Sequence, residues 1–242
     1  MSSFERKTPA LKGGPNQELF LEAWQVYRKM VDNDYLFHRD AYVCLHEVLA
    51  DEVDRPFRFL DVACGDAGMS VGALAGTRIS HYTGIDISEQ ALAIAADNVK
   101  ALGCQTKLRI ADFAADLASW EDPLDIVWIG LSLHHLLAPG KLDVLRHIRR
   151  NLGDKGMLMI YEDTSMNGES REEWLGRWDA QKPRWTAYTE DEWNFVTSHV
   201  HTSDFPETDE TWRALGRESG FGVVRERYRS PTELLRLYSF AP

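Results

Sequence analysis

Cysteine is scarce in this chain. Cys44, Cys64 and Cys104 are odd in number and widely spaced, with no CxxC pair, so neither a zinc knuckle nor a redox couple nor a disulfide framework is encoded. Long apolar runs are missing too. Nothing approaches the ~20 residues that a bilayer-spanning helix needs, and the polar opening MSSFERKTPALKGG lacks the apolar core of a signal peptide. A cytoplasmic protein with no membrane partner is therefore expected. Positive charge is also short: 27 Lys and Arg stand against 38 Asp and Glu, a net charge of −11. That balance opposes the counterion release on which nucleic-acid binding depends, so neither DNA nor RNA is an expected partner. Low-complexity tracts and internal repeats are lacking, which argues against extended disorder and against a solenoid.

What is present suits one compact α/β core with a modest appendage: 242 residues, 44% of them hydrophobic and 11% aromatic. Residues 1–15, ending in GGP, read as a mobile arm. Leu19, Ala23, Tyr27 and Met30, flanked by Phe20, Trp24 and Val31, then recur at helical spacing, and a second helix is expected from about Leu36 to Ala50. From Phe57 the chain alternates apolar runs with amphipathic segments, the pattern of βαβ units and a parallel sheet. FRFLDVA (57–63), HYTGIDI (81–87), TKLRI (106–110), LDIVWIG (124–130) and GMLMIYE (156–162) are the predicted strands. After residue 162 the alternation fails for nearly fifty residues. A helix near 209–219 follows, then GVVRERYR and ELLRLYSF, which can pair antiparallel. Residues 1–56 are read as arm and helical cap and 57–242 as the core, with 163–208 a substrate-side insert.

The chemistry concentrates in FLDVACGDAG (59–68), an apolar strand that ends in an acid and turns through small residues into a helix. Gly65 and Gly68 allow a tight turn and let backbone approach a ligand at the head of that helix. Asp86 closes the next strand, where a carboxylate accepts hydrogen bonds from two ribose hydroxyls, so an adenosine-containing cofactor is expected. NAD fits poorly. Ala63 replaces the first glycine of GxGxxG, and Asp66 inside the loop would repel a pyrophosphate. A sulfonium cofactor carries positive charge instead, which suits Asp61 and Asp66.

These segments resemble the class I, Rossmann-like S-adenosylmethionine-dependent methyltransferases of small-molecule type, over roughly residues 57 to 162. DVACGDAG is similar to their motif I, GIDIS (84–88) to the ribose-binding strand end, ADF (111–113) to the adenine segment, LDIVWIGLSLHHL (124–136) to the fourth-strand motif and LGDKGMLMIYE (152–162) to the fifth strand. The resemblance implies S-adenosyl-L-methionine as cofactor and a parallel sheet with a C-terminal antiparallel hairpin. It places Asp61, Ala63 and Gly65 at the methionyl end, Asp86 on the ribose, Asp112 on the adenine amino group, Phe113 and Ile87 on its ring, and Gly130 and Leu131 near the sulfonium. No Asn-Pro-Pro-Tyr follows the fourth strand, which argues against the nucleic-acid and glutamine amino methyltransferases.

Methyl transfer is an in-line displacement governed by positioning, with a base needed where the acceptor carries a proton. His134 is the expected base and Glu162 the second candidate. Tyr27, His38, His135, Tyr161, Trp193 and His199 are the expected substrate contacts. HVHTSD (199–204) has a spacing that suits a divalent ion if a further ligand comes from elsewhere; no second cluster supports one, so no metal is expected and the segment reads as a substrate loop. Residues 161–210 hold 13 acidic residues against Arg171, Arg177, Lys182 and Arg184, with four of the eight tryptophans, which leans toward a cationic or amine-bearing acceptor. Two other readings stay open: a catalytically silent cofactor-binding regulator and a NAD-linked oxidoreductase. The acceptor atom, nitrogen or oxygen, and the oligomeric state are not legible.

Overall fold

The computed structural model describes residues 15–242. Residues 1–14, nearly all of the expected arm, lie outside the described residues, as do the side chains of 15–23, including Leu19, Phe20 and Ala23. In chain order, a cap of α1 (Pro15–Asp32) and α2 (His38–Glu52) precedes β1 (Phe57–Val62), α3 (Gly68–Leu74), β2 (Ile79–Asp86), α4 (Glu89–Asn98), β3 (Gln105–Ile110), α5 (Phe113–Ala118), β4 (Leu124–Gly130), α6 (Ala138–Asn151) and β5 (Leu152–Ser165). Then come α7 (Arg171–Asp179), α8 (Glu190–Ser203), β6 (Glu207–Thr208), α9 (Asp209–Glu218), β7 (Val223–Arg229) and β8 (Leu235–Ala241).

The sheet runs β3-β2-β1-β4-β5-β8-β7, with β6 pairing beside β5. Strands β1 to β5 are mutually parallel, whereas β8 is antiparallel to both β5 and β7, as the two C-terminal apolar runs suggest. Alternate residues of each central strand feed opposite layers. Phe57 and Phe59 of β1, with Trp128 and Met159, pack under α2 on one face; Leu60, Val62, Ile129 and Ile160 pack with Val144, Leu145 and Trp212 on the other. Each such side chain contributes about 1.5–3 kcal/mol on burial. Strand order reverses between β1 and β4, so the carboxyl ends of β1, β2, β4 and β5 open a crevice that the cap and the 166–206 segment cover.

Helix starts follow local chemistry. Ser88 and Asp112 accept from the amides of Ala91 and Ala115 and cap α4 and α5. In the insert, Ser170 with Glu173 and Thr189 with Glu192 close reciprocal capping boxes that start α7 and α8. Among the described residues, no helix is long and apolar enough to cross a membrane.

Candidate active site

The loop after β1 has unusual backbone. Ala63 (φ 55°), Gly65 (φ 53°) and Ala67 (φ 56°) all occupy the left-handed region, as does Leu131 (φ 52°) after β4. Two alanines and a leucine held in a conformation that favours glycine concentrate strain at one spot, a frequent mark of a ligand site. A Cβ on Gly65 would meet nothing within 4 Å, so packing does not require a glycine there. The left-handed conformation favours glycine without demanding it, as Ala63 and Ala67 show, and the bare backbone leaves room for a ligand. Asp86 fixes the loop from the side: its Oδ2 accepts from the Gly65 amide and its Oδ1 from the Ser88 amide, both at 2.8 Å. Each oxygen keeps lone-pair capacity toward the crevice.

A cavity of about 440 Å³ opens from this loop, within the range of small-molecule sites. Ala63, Gly65, Asp86, Ser88, Gly130 and Leu131 line one end. At the other end Trp24, Tyr27, His38 and Tyr42 come from the cap, Tyr161 and Asp163 from β5, and Trp178, His199 and Asp204 from the insert, beside His134 and His135. Neither Lys nor Arg is among its described lining residues. His38 is buried and its Nδ1 has no hydrogen-bond partner; burial pulls the imidazole down to about 4, so it is neutral near pH 7.

Behind the cavity the chain after β4 is pinned by one carboxylate. Glu162, wholly buried, accepts from the amides of Ser132 and Leu133 through Oε1 and from the amide and Nδ1 of His134 through Oε2, at 2.8–3.2 Å. His134 is ringed by acids: Asp163 Oδ2 lies 3.6 Å from its Nδ1 and Asp204 Oδ1 3.8 Å from its Nε2. Burial works against its charge, yet Asp163, Glu162 and Asp204 prevail and hold it up to about 9. Burial likewise pushes Asp163 up to about 7, opposed by His134.

A sequence profile described as a methyltransferase domain matches residues 60–158, the span from β1 into β5 that carries this loop and both strand ends. Over that span the chain matches a methyltransferase domain and resembles the class I S-adenosylmethionine-dependent methyltransferases. Among solved structures, the plantazolicin methyltransferase, in complex with a triazolic substrate analogue and S-adenosylhomocysteine, aligns with TM-score 0.61 at 14% identity, over 90% of this chain and 89% of that one. The magnesium protoporphyrin IX methyltransferase of Synechocystis, with bound S-adenosylmethionine, aligns with TM-score 0.56 at 14% identity over 89% and 83%. The pyocyanin biosynthetic protein PhzM aligns with TM-score 0.57 at 20% identity, covering 83% of this chain but 55% of its own. The chain thus spans little more than half the length of some structures it resembles. A search of curated proteins finds no match.

The structure gathers Ala63, Gly65, Asp86, Gly130, Leu131, Tyr27, His38, His134, His135, Tyr161 and His199 around one cavity. Several expected roles need correction. Asp61 lies beneath the loop, receiving a 2.7 Å hydrogen bond from Tyr82 Oη, and burial raises its carboxyl to about 7. Asp66 accepts from the Gly68 amide at the head of α3, so neither acid faces the cavity directly. Asp112 caps α5, Ile87 is exposed, and Phe113 packs against the layer under α6; all three stand outside the cavity lining.

Glu162 is no free base, because both oxygens are committed to the loop. His134 is a poor proton acceptor near pH 7, because its carboxylate neighbours keep it charged. Trp193 packs edge-on against Trp185 in the core shared by insert and cap, and Trp178 is the insert's indole that reaches the cavity. Several of the insert's acids are already paired: Glu169 with Arg177, Glu190 with Lys182 and Asp179 with His201 within the insert, and Glu192 with Lys29 of α1. The pair with Asp179 also turns His201 away from the site. Asp163 holds the cavity position expected of Glu162. Strand parity carries that signal, since residues 161 and 163 share a face and residue 162 takes the other.

Proposed function

We propose that this chain moves the methyl group of S-adenosyl-L-methionine to a nitrogen or oxygen of a small molecule seated between the helical cap (α1 and α2) and the insert (163–208). The observation that carries the reading is the single cavity joining the strained cofactor loop to a wall of imidazoles, aromatics and carboxylates. The residues suit the cofactor: Asp86 stands ready for vicinal hydroxyls, Gly65 leaves its backbone open, and a lining without Lys or Arg accepts a cation. When bound, S-adenosylmethionine supplies an activated methyl group. This chain's residues position the acceptor and take up its proton.

His38, neutral and unpartnered, is a polar anchor for the acceptor, and Tyr27 and Tyr161 flank it in the wall. His199, about half exposed at the cavity mouth with Nε2 3.9 Å from Asp204, is the side chain placed to receive the proton. Glu162 and His134 position the loop that forms the cavity floor. Asp86, Asp163 and Asp204 in the lining, with Trp24 and Trp178 beside them, favour a neutral or amine-bearing acceptor over an anionic one. Incubation with S-adenosylmethionine and matched panels of amines, phenols and carboxylates tests the reading. Formation of S-adenosylhomocysteine with amines or phenols is expected, while binding without turnover on any panel would favour a silent regulator.

A further inference from the structure

We propose that His134, His135 and Asp204 form a binding site for one divalent transition-metal ion of the zinc type at the acceptor end of the cavity. The ligand atoms of these three residues lie within 4.8 Å of one another. From Asp204 Oδ1, His135 Nδ1 stands at 3.2 Å and His134 Nε2 at 3.8 Å. Donors bound to one ion at ~2.0–2.2 Å sit roughly 3–3.6 Å apart in a tetrahedral shell, so small side-chain shifts suffice.

Two further features point to a ligand. Asp204 is 3% exposed, yet its Oδ1 accepts no hydrogen bond: the imidazoles of His135 and His134 stand 3.2 and 3.8 Å away without bonding to it, and an ion held between the three would complete that buried oxygen. His134 is oriented from behind, its Nδ1 2.9 Å from Glu162 Oε2, which aims Nε2 at Asp204. A carboxylate holding the rear nitrogen of an imidazole is the usual support of a metal-bound histidine. Two imidazoles and one carboxylate suit zinc, cobalt or iron(II) and not magnesium, which prefers an all-oxygen shell.

Three protein ligands leave coordination positions open, and all three residues line the cavity. An acceptor oxygen or nitrogen could take one of them, a consequence that rests on the methyl-transfer reading; the binding itself does not. His201 belongs to the same HVHTSD run but pairs with Asp179, so it serves as the control.

The test uses the full chain, stripped by chelator and titrated by calorimetry with zinc or magnesium, with the visible spectrum recorded on adding cobalt(II). One zinc per chain at micromolar or tighter affinity, cobalt d–d bands of a four- or five-coordinate site, and no magnesium binding are expected. His135→Ala, at a partly exposed position that folding tolerates, should weaken zinc at least 10-fold, and Asp204→Asn likewise, while His201→Ala leaves it unchanged. No zinc binding, or zinc binding that survives His135→Ala, would overturn the site. Because the readout needs no methyl acceptor, failure of methyl transfer would leave the metal result standing on its own.

Discussion

The cofactor end and the acceptor end of the cavity are built by different rules. The cofactor end is assembled largely from strand tips and the few residues after them: Ala63 to Gly65 after β1, Asp86 and Ser88 at β2, Gly130 and Leu131 at β4. Backbone does much of the work there, through left-handed residues and amides fixed by Asp86. The acceptor end draws side chains from α1, α2, β5, α7 and α8, far apart in the chain, and a buried network of carboxylates and imidazoles ties β5 to the loop after β4 and to the end of α8. A site made of backbone at strand ends tolerates variation in its side chains. A site made of convergent side chains changes its chemistry with each one.

That contrast predicts that acceptor-end substitutions separate catalysis from cofactor binding. His199→Ala should lower kcat by about 10²–10⁴ while the S-adenosylmethionine Kd moves less than about twofold. Single-turnover rates and calorimetry on the same protein check both halves, and equal losses in the two would erase the distinction between the ends.

Glu162→Ala should cost about 3–5 kcal/mol of folding stability, since three amides and an imidazole lose their buried acceptor. Glu162→Gln, which keeps one acceptor oxygen, should cost less. Urea unfolding measures both; a stable but inactive Glu162→Ala would return that residue to the chemistry.

These differences also explain what the sequence disclosed. The parallel strands, the Ser88 cap, the Asp86 position and the antiparallel C-terminal pair were legible because each rests on local pattern: alternating burial, a capping hydroxyl, a strand ending in an acid. The acceptor end was legible as residue types but not as roles. Strand parity puts Glu162 and Asp163 on opposite faces, but only tertiary packing shows which of the two faces the cavity, or that three acids around His134 keep it charged. The acid-and-tryptophan signal of the insert misled for a similar reason. Capping boxes and ion pairs consume much of the acid, and the indoles of Trp174, Trp185 and Trp193 pack the insert into the core it shares with the cap and the sheet.

A smaller effect concerns pH. The unfolded chain binds a proton at His38 below about 6.5, while in the native cavity wall the imidazole stays neutral down to about 4. Stability from this group is full above 6.5 and falls by about 2–3 kcal/mol as pH drops from 6.5 to 4. Asp61, raised to about 7, acts with the opposite sign, losing stability as pH rises from 3.8 to 7. The His38 share is therefore read as the difference between wild type and His38→Asn in unfolding curves across that window. Parallel curves would show that His38 is solvated. The smallest effect sharpens the division within the insert: Trp193→Phe should leave acceptor KM unchanged at every salt concentration, whereas Trp178→Phe should raise it a few-fold.

Seating of S-adenosylmethionine by the strained loop and Asp86 is tested by calorimetric titration of S-adenosylhomocysteine and of NADH into the wild type and Asp86→Ala. Micromolar binding of S-adenosylhomocysteine and none of NADH are expected. Asp86→Ala should cost about 1.5–3 kcal/mol, roughly 10- to 100-fold in Kd, when the ribose hydroxyls lose their charged acceptor and Gly65 and Ser88 lose their tether. Binding of NADH without S-adenosylhomocysteine, or S-adenosylhomocysteine affinity untouched by Asp86→Ala, would contradict that seating.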